Sequence, residues 1–489
     1  MVPTPSDVPS PDAPSSANHY DVVVVGTGSG NTIINRRFAD QRVAIVEDWV
    51  YGGTCLNRGC IPTKMYVVTA DRAYDAAHGT RFDLRTSFEG DDWPAIRDRI
   101  FTRIDRISAE GHAYREHQPN VDAITGTARF TGPRELRVDL NAGGSVDLTA
   151  DQIVIATGSR PVVPDDIEGL DDVEFHTSDT VLRLAERPAR IGVVGGGFIG
   201  CELAHVFASL GSEVTQITSG ATLLSRHDGD IARVLTDELS RRWDLRLGTM
   251  LNRVAQSHPG TPITMHLDDG TTAEVDVLLL AVGRRPNGDR LGLDAAGVKT
   301  HDDGRVVVDE YQRTTAEGVW ALGDASSAEP LKHVANQDAR IVQHNLLNPD
   351  DLWVSDHRFV PSAVFTHPQV ASVGITEAQA REQGLDVAVV RHLYGDVAYG
   401  WALIEDHPPA QDHQVKLLAD RATGRLVGAH LIGPQASTLI QPLIQAMSFD
   451  QPVRGLARGQ YWIHPALTEV VENALLALER ELAQNPNAR

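Results

Sequence analysis

Two parts of the chain repeat one pattern: a short apolar run, a cluster of glycines and a longer mixed stretch. The first part reads DVVVVGTGSGN from residue 21, and an apolar run that closes in glycines is typical of a parallel strand buried on both faces. The stretch NTIINRRFAD then predicts a helix and VAIVE a second strand, which together make a βαβ unit. The second part begins at Arg190 with IGVVGGGFIG, continues as a helix through CELAHVFASLG and ends in the strand SEVTQIT. Two such units about 170 residues apart predict two nucleotide-binding domains.

The rest of the chain carries strand patterns of other kinds. An apolar strand that closes in a glycine turn occurs at DQIVIATGSRP and again at VDVLLLAVGRRPN. The stretch GRVVVDEYQRTTAEGVWALGDAS predicts two more short strands, with Gly323 and Asp324 at the mouth of the second. From about residue 358, FVPSAVFTHPQVASVG, VKLLADRATGRLVGAHLIG and an amphipathic C-terminal segment predict an antiparallel sheet with helices. The whole pattern predicts an α/β chain with two Rossmann-like nucleotide-binding domains and a C-terminal α+β domain.

Composition narrows the class of protein. A chain of 489 residues is expected to form about three domains. Its formal net charge of −22 argues against a sequence-independent grip on nucleic acid or on an anionic membrane. Only three cysteines occur, which excludes a disulfide-stapled scaffold and a four-cysteine zinc site. We therefore expect neither a metal nor a nucleic-acid partner.

The chain also lacks the signals of export or membrane insertion. No run of about 18 apolar residues exists, so no membrane-spanning helix is expected. Residues 1–18 are rich in Pro and Ser and have no apolar core, which predicts a disordered tail rather than a signal peptide. The cytoplasm is therefore the expected location.

The first glycine cluster is spaced for a dinucleotide. Gly26 allows a tight turn, and Gly28 lets the backbone approach a pyrophosphate at the start of a helix. Asn31 stands where the general pattern has Gly or Ala. Glu47 follows about 20 residues later, where an acid would bind a ribose hydroxyl. A plain strand–turn–helix is the disfavoured alternative, because the cluster combines strand, glycines and acid in the expected order.

The second glycine cluster fits the full fingerprint, with Gly195, Gly197 and Gly200 at its three glycine positions. The strand after it ends in TQITS and carries no carboxylate. An acid at this point would bind the free ribose of NAD and repel a 2′-phosphate, so its absence favours NADP, with NAD as the alternative. Arg226 is the nearest positive charge that could help to hold the phosphate.

The segment GGTCLNRGCIPTK holds two of the three cysteines, Cys55 and Cys60, five residues apart. If Cys60 begins a helix, Pro62 suits its first turn, and one turn between the thiols can satisfy disulfide geometry. A helix N-terminus lowers the pKa of a thiol, and a cytosolic disulfide is more often catalytic than structural. Lys64 follows one turn later and would need a carboxylate partner if buried, for which Glu202 is the candidate. A surface lysine and a surface glutamate remain the alternative.

A dithiol that passes electrons also needs a proton donor, and the chain has 19 histidines. His464 has Glu469 five residues later, at the start of an amphipathic helix, and a catalytic base needs an orienting carboxylate. His407 with Asp412 is the alternative, although its loop is polar. The third cysteine, Cys201, lies in an apolar helix and is expected to be a buried, inert thiol.

In this order, GGTCLNRGCIPTK, the two fingerprints, ATGSRP, LGDAS and HPALTE resemble the FAD-dependent pyridine nucleotide–disulfide oxidoreductases over about residues 19–480. The resemblance implies that the chain binds FAD and a nicotinamide nucleotide, NADPH or alternatively NADH. The FAD-binding residues it implies, with the ATGSRP turn counted among them, are Gly26, Gly28, Glu47, Gly53, Thr54, Lys64, Thr157, Gly158 and Asp324. The nicotinamide-nucleotide positions are Gly195, Gly197 and Gly200, with Arg284 at a nucleotide-contacting turn.

The same resemblance implies roles at the reacting centre. Glu202 matches the acid that pairs with the lysine, and Phe198 stands where many members have a Tyr that covers the flavin. Cys60 matches the thiol beside the flavin, and Cys55 the thiol that attacks a small disulfide substrate. The acid–base pair, which His464 and Glu469 match, is donated in this family by the other subunit. The resemblance therefore implies a homodimer with shared active sites.

The implied domain order follows from these motifs. A FAD-binding domain would be built from residues 19–160 and 291–357, a NAD(P)-binding domain from 161–290, and a dimerisation domain from 358–489. The absence of a cysteine after Glu469 argues against mercuric reductase and the large thioredoxin reductases.

Within the family, GTGSGN and LKHVANQDAR resemble the mycothione reductases. Reduction of mycothione to mycothiol is therefore the expected reaction, with dihydrolipoamide dehydrogenase and glutathione-disulfide reductase as alternatives. A dihydrolipoamide dehydrogenase would want an acid at the second ribose site, which is missing. A flavoprotein that only senses redox state is a further alternative, against which the presence of both thiols and the His–Glu pair argues.

Overall fold

The structure is a computed structural model that describes residues 18–404 and 408–484. The predicted tail therefore lies outside the described residues except for Asn18, and so does His407. The strands are β1 His19–Val25, β2 Val43–Glu47, β3 Val121–Gly132, β4 Glu135–Leu140, β5 Ser145–Ile155, β6 Ser159–Pro161, β7 Phe175–Thr177, β8 Arg190–Val194, β9 Glu213–Thr218, β10 Asp244–Leu247, β11 Leu251–Gln256, β12 Ile263–Leu267, β13 Thr272–Val275, β14 Val277–Leu280, β15 Arg284–Pro286, β16 Val319–Ala321, β17 Pro361–Val364, β18 Gln369–Gly374, β19 Val387–Leu393, β20 Gln414–Asp420 and β21 Arg425–Gly433.

The helices are α1 Gly53–Asn57, α2 Cys60–Ala77, α3 Trp93–Glu116, α4 Phe198–Ser209, α5 Gly229–Leu239, α6 Lys332–Leu347, α7 Glu377–Glu382, α8 Ala398–Ile404, α9 Ala436–Leu439, α10 Gln441–Ser448 and α11 Thr468–Ala483. Over the described ranges, no helix is both long and apolar enough to cross a lipid bilayer.

The chain divides into two compact units. The first comprises residues 1–57, 103–160 and 285–356, and the second residues 58–102, 161–284 and 357–489. The domain boundaries expected from the sequence stay a prediction.

The first unit is built on a sheet that begins with the first glycine motif. Strands β3, β2, β1, β5 and β16 are parallel neighbours in that order, and β4 pairs antiparallel with both β3 and β5. Val24 of β1 lies opposite Ile45 of β2 on one side and Val154 of β5 on the other, and all three are fully buried. The carboxyl ends of the parallel strands consequently meet at one edge, where the glycine loop follows β1.

The α-helix predicted over residues 31–40 is wrong. This stretch holds two single turns of 3-10 helix, Gly30–Thr32 and Arg36–Phe38. Asn35 between them has an extended backbone, and its side chain accepts the N–H of Arg37 at 2.9 Å. Asparagine side chains that bond the nearby backbone in this way compete with helix formation.

A side chain from α3 explains the rest of this difference. The Arg115 guanidinium donates to the side chain and the backbone carbonyl of Asn31, and at 2.9 Å to the carbonyl of Ile34. These carbonyls would otherwise accept helical N–H groups. Because Arg115 satisfies them from a distant part of the chain, the local pattern of residues 31–40 could not reveal the outcome.

The second unit contains the second nucleotide-binding pattern. Its parallel sheet has the order β10-β9-β8-β14-β7, and α4 follows β8 as the sequence predicts. Strands β11, β12 and β13 form a small antiparallel sheet. The same unit contains the predicted C-terminal antiparallel sheet, in the order β17-β18-β21-β20-β19.

Helix α11 packs on β19 and β20 of that C-terminal sheet. Its buried residues repeat at helical spacing and are Val470, Val471, Ala474, Leu475 and Leu478. This buried stripe fixes the direction in which the start of α11, with Glu469, faces.

Of the two short strands predicted between residues 304 and 326, only Val319–Ala321 forms. The apolar run before it makes isolated bridges instead, including one between Val308 and Thr314. The chain turns directly after Val308, because the Asp309 side chain accepts backbone N–H groups two and four residues later, at 3.0 and 2.9 Å. The turn leaves too few residues to extend the ladder.

Candidate active site

The glycine loop after β1 is packed directly against the start of α1. Gly26 has a φ of +108°, and a Cβ there would lie 2.3 Å from the carbonyl oxygen of Ala156. A Cβ on Gly53 would lie 2.6 Å from Cα of Gly28. Only glycine fits at Gly26 and Gly53, and the packing brings the loop backbone and the first turn of α1, which includes Thr54, to one place. Backbone N–H groups gathered in this way can donate to a phosphate.

Glu47 ends β2 at the same edge of the sheet and is 8% exposed. Its carboxylate accepts the backbone N–H of Thr27 at 2.9 Å, the Thr27 hydroxyl, and the N–H of Trp49 at 3.2 Å. Burial raises the pKa of the Glu47 carboxyl, and the hydrogen bonds from Thr27 oppose that shift. The acid lies where the sequence pattern places it, and its contact with a ribose stays a prediction.

The loop after β5 is tied to the turn after β16. The Ser159 hydroxyl donates to Asp324 at 2.6 Å. Asn287 donates through its side chain to the carbonyl of Thr157 at 2.9 Å and through its N–H to that of Gly158 at 3.0 Å. The Thr157 hydroxyl is buried and has no hydrogen-bond partner among the described residues. Because a buried polar group without a partner is unfavourable, this hydroxyl points to a bound group that supplies one.

These features fit FAD, the cofactor expected from the sequence. The glycines let the loop backbone pack closely against Ala156 and the start of α1, and the Thr157 hydroxyl lacks only a partner. The residues of this unit that would hold FAD are Gly26, Gly28, Glu47, Gly53, Thr54, Thr157, Gly158 and Asp324. Their individual contacts stay predictions.

The second glycine loop, after β8, has the same construction. A Cβ on Gly195 would lie 2.3 Å from the carbonyl oxygen of Ala281, and one on Gly200 would lie 2.2 Å from that of Gly195. Gly197, the N-cap of α4, has no atom of the described chain within 4 Å of its Cβ position. Phe198 begins α4 and is 40% exposed. The open side of Gly197 leaves room for the phosphates of a nucleotide at the helix N-terminus.

The segment after β9 folds back onto this loop. The N–H of Leu224 donates to the carbonyl oxygen of Gly196 at 2.8 Å. Thr218 and Ser219 at the end of β9 carry no carboxylate, and Arg226 is exposed on the returning segment. The contact of Arg226 with a 2′-phosphate stays a prediction.

Asp179 is a residue of the site that the sequence patterns missed. Its carboxylate lies 3.1 Å from the Arg58 guanidinium, in the segment between the two cysteines, and 3.8 Å from that of Arg284. The Asp179 side chain is 15% exposed. Nothing in the short polar stretch after β7 marks this residue, because both of its partners are distant in sequence. The acid links the predicted nucleotide-contacting turn to the dithiol segment.

The second cysteine of the dithiol segment begins helix α2, as predicted. Cys60 is the first residue of the helix after the N-cap Gly59, and Pro62 lies in its first turn. Cys60 is exposed, whereas Cys55 lies half-buried in α1. Their roles as a redox pair stay a prediction.

Lys64 and Glu202 form an ion pair with 2.5 Å between Nζ and Oε2. The Glu202 side chain is only 4% exposed, which excludes the alternative of two unrelated surface residues. The other carboxylate oxygen accepts the N–H of Phe365 at 2.9 Å, and the Lys64 ammonium lies 4.6 Å from the centre of the Phe365 ring. The sequence patterns missed Phe365, because a backbone N–H that holds a distant carboxylate leaves no local signal.

His464 lies just before α11, and Glu469 lies in the first turn of that helix. The imidazole Nδ1 is 2.7 Å from Oε1 of Glu469, and the other carboxylate oxygen accepts the N–H of Ala466 at 3.2 Å. The hydrogen bond from His464 lowers the pKa of Glu469. The His464 side chain is 72% exposed, and the neighbouring Tyr461 and Ile463 are exposed too. An oriented imidazole on an exposed apolar segment is suited to act on a second chain, which stays a prediction.

The third cysteine and the alternative histidine are considered next, together with metal binding. Burial raises the pKa of the Cys201 thiol to about 12, which fits an inert thiol. His407 lies outside the described residues. Within the described ranges, no cluster of three His, Cys, Asp or Glu side chains could hold a metal ion.

Comparison with known proteins shows the family to which the chain belongs. The sequence profile of the pyridine nucleotide-disulphide oxidoreductases matches residues 20–339, and that of their dimerisation domain matches residues 360–475. A mycothione reductase of Mycobacterium tuberculosis (strain ATCC 25618 / H37Rv) is 50% identical over 465 residues, which cover 94% of this chain and 99% of that protein. A dihydrolipoyl dehydrogenase of Halobacterium salinarum is 33% identical over 471 residues, which cover 93% of this chain and 95% of that protein.

A solved structure has the same fold. The HOCl-induced flavoprotein disulfide reductase RclA from Escherichia coli, as its Cu(II) complex, matches with a TM-score of 0.82 and 30% identity over 94% of this chain and 100% of that one. The predicted α/β fold class is thereby confirmed. The chain therefore belongs to the pyridine nucleotide–disulphide oxidoreductases and is a flavoprotein disulfide oxidoreductase that uses FAD and NAD(P)H.

Proposed function

We propose that the chain reduces mycothione to mycothiol with NAD(P)H as the reductant. The observation that carries this substrate is the 50% identity with a mycothione reductase along nearly the whole of both chains. The thiols Cys55 and Cys60 and the hydrogen-bonded pair of His464 and Glu469 support the reaction class. Mycothione is a small disulfide, so a thiolate can attack one of its sulfurs and an oriented imidazole can protonate the thiolate that leaves.

FAD, when bound, would supply two-electron transfer from a reduced nicotinamide to a disulfide. In the proposed mechanism that disulfide joins Cys55 and Cys60, and two electrons with two protons convert it into two thiols. The Lys64 ammonium, which is paired with Glu202, would offer a positive charge to the cofactor. Phe365 restricts both members of the pair, one through its ring and the other through its N–H.

The chain's own groups then carry out the exchange. The Cys55 thiolate attacks one sulfur of mycothione, which forms a mixed disulfide and expels the first thiolate product. His464, which takes the proton of the Cys55 thiol, donates it to that product while Glu469 holds the imidazole. Cys60 attacks the Cys55 sulfur, which restores the Cys55–Cys60 disulfide, and the proton of Cys60 passes to the second product as it leaves. One disulfide is reduced and two thiols leave for each nicotinamide oxidised.

We also propose that the active sites are shared between two subunits of a homodimer. The match of residues 360–475 to a dimerisation domain supports the dimer, and the exposed position of His464 supports the exchange of this residue between subunits. The cytoplasm is the proposed location, because the reaction consumes a reduced nicotinamide nucleotide.

The test is a comparison of turnover with mycothione, glutathione disulfide and lipoamide at equal enzyme and NADPH concentrations, in a continuous assay of NADPH absorbance. We expect the highest kcat/KM with mycothione and none with Cys55→Ser, which serves as the blank. A higher kcat/KM with either of the other two disulfides would contradict the substrate assignment and leave the reaction class in place.

A further inference from the structure

The lysines of this chain are few and unevenly placed. Of 44 lysines and arginines only four are lysines. Lys299 is exposed, whereas Lys64 and the fully buried Lys416 each lie against carboxylates at 2.5 and 2.8 Å. Lys332 is only half-exposed, yet no carboxylate of the described residues lies within 4.0 Å of its ammonium. It is therefore a partly buried cation whose counter-charge the described chain does not supply.

The described partner of Lys332 is a hydroxyl in the first glycine loop. Its Nζ lies 2.8 Å from Oγ of Ser29, and the Ser29 hydroxyl donates to the side chain of Asn336 at 3.0 Å. Lys332 and Asn336 are four residues apart on α6, so they share one face of the helix. Ser29 is 7% exposed. The two stretches GTGSGN and LKHVANQDAR thus meet at this hydroxyl.

The loop that carries Ser29 is fixed on both sides. Gly28 lies against Gly53, and a Cβ on Gly30 would lie 2.5 Å from Cβ of Ala156. The position of Ser29 is therefore set by packing, and the Lys332 ammonium is held next to the loop where backbone N–H groups gather.

Electrostatics makes this place unfavourable for a cation unless an anion binds there. Lys332 is the first residue of the 16-residue helix α6, and the helix N-terminus carries a partial positive charge. Leu331 is the N-cap residue of α6, and its side chain makes no capping hydrogen bond to the first turn. The ammonium, the helix end and the loop N–H groups therefore bring positive charge together, and no carboxylate of the described residues lies within 4.0 Å of the ammonium to balance it.

We propose that Lys332 is a FAD-binding residue whose ammonium pairs with the diphosphate of the cofactor. Ser29 and Asn336 position the ammonium, and the diphosphate supplies the missing counter-charge. The proposal rests on FAD as the cofactor and is independent of mycothione as the substrate.

The test is the rate of FAD release from the holoenzyme, followed by the rise in flavin fluorescence after dilution. We expect Lys332→Met to release FAD about 10- to 100-fold faster than wild type, because a charge-assisted contact is lost. Lys332→Arg should recover most of this loss. Lys299→Met is the matched control and should release FAD at the wild-type rate.

Two further measurements separate this role from others. Added NaCl should speed release from wild type more steeply than from Lys332→Met, since only wild type has the charge pair to screen. Ser29→Ala should also increase the rate of FAD release, but this increase should be several-fold smaller than the increase in Lys332→Met. An equal effect of the two variants would mean that Lys332 only supports the loop, and would overturn the proposal.

The midpoint potential of the bound flavin provides the last criterion. The proposal predicts potentials for wild type and Lys332→Met that agree closely, because the diphosphate is remote from the redox chemistry. An unchanged release rate with a displaced potential would place Lys332 at the flavin ring and refute the diphosphate assignment. Loss of FAD from Lys332→Met during purification, with Lys332→Arg retained as holoenzyme, would support it.

Discussion

Glu202 receives two different donors, the Lys64 ammonium at 2.5 Å and the Phe365 N–H at 2.9 Å. The Glu202 carboxylate thus connects Lys64 of α2 to Phe365, which lies between β17 and β18 of the C-terminal sheet. Lys64 keeps a side-chain exposure of 34%, so the ion pair is accessible on its lysine side and buried on its glutamate side.

Glu202→Gln should remove the charge and keep an oxygen for the Phe365 N–H. We expect a loss of about 1–3 kcal/mol in the free energy of unfolding, below the figure for a fully buried pair because Lys64 is partly exposed. Reduction of the flavin by NADPH should also slow, because Lys64 loses its fixed orientation. Urea unfolding and stopped-flow absorbance measure the two effects, with the exposed Glu213→Gln as control. Equal behaviour of the two variants would contradict a positioning role for Glu202.

Cys60→Ser should leave FAD bound but abolish disulfide turnover, because no thiol remains to accept electrons from the flavin. The absorbance spectrum reports the bound FAD, and NADPH oxidation with mycothione reports turnover. Cys201→Ser is the control, since burial raises the pKa of that thiol to about 12 and it should take no part. Wild-type turnover by Cys60→Ser would end the proposed relay.

Mixed dimers test whether His464 serves the partner chain. Cys55→Ser should be inactive alone. His464→Ala should lose about 10²–10⁴-fold in kcat, because the acid that protonates the product is missing. In a mixed dimer with shared sites, one site carries both lesions and the other neither, so exchange should restore activity up to about half of the sites. Native mass spectrometry verifies the exchange. Verified exchange without any recovery would show that His464 acts within its own chain.

The nicotinamide nucleotide should be preferred in its phosphorylated form. Thr218 and Ser219 offer no carboxylate to repel a 2′-phosphate, so we expect a higher kcat/KM for NADPH than for NADH. The margin should be modest, because a single arginine, Arg226, is expected to attract the phosphate. Arg226→Ala should narrow the preference through KM(NADPH), while KM(NADH) stays constant. A clear preference of the wild type for NADH would contradict this assignment.

Acid should weaken the contribution of Glu469 to folding. Its pKa is lowered in the folded chain by the hydrogen bond from His464, so the ionised form stabilises the fold above the ordinary carboxyl pKa of 4.5. This contribution should disappear as the pH falls through the lowered value. Thermal unfolding of wild type and Glu469→Gln should therefore differ at pH 7 and converge in strong acid. A difference that grows towards low pH would contradict the pairing.

The sequence revealed those parts of the fold and site that depend on neighbours in the chain. A strand, a glycine turn and a helix follow one another directly, and so both fingerprints could be read, as could the His464–Glu469 turn. Asp179, Phe365 and Lys332 were not found, because each acts on a residue far away in sequence. The absent helix after Gly30 has the same cause, since Arg115 satisfies its carbonyls from α3.

The contact between Gly28 and Gly53 limits how this chain can be recombined with its relatives. A methyl group at residue 53 would displace Gly28, and a displaced Gly28 would disturb the turn at Gly26, which already touches Ala156. A substitution in one of these segments is therefore constrained by the packing of the other. A chimera that exchanges either segment alone would bring together surfaces that were never selected to fit, so crossovers belong before Gly26 or after Gly53.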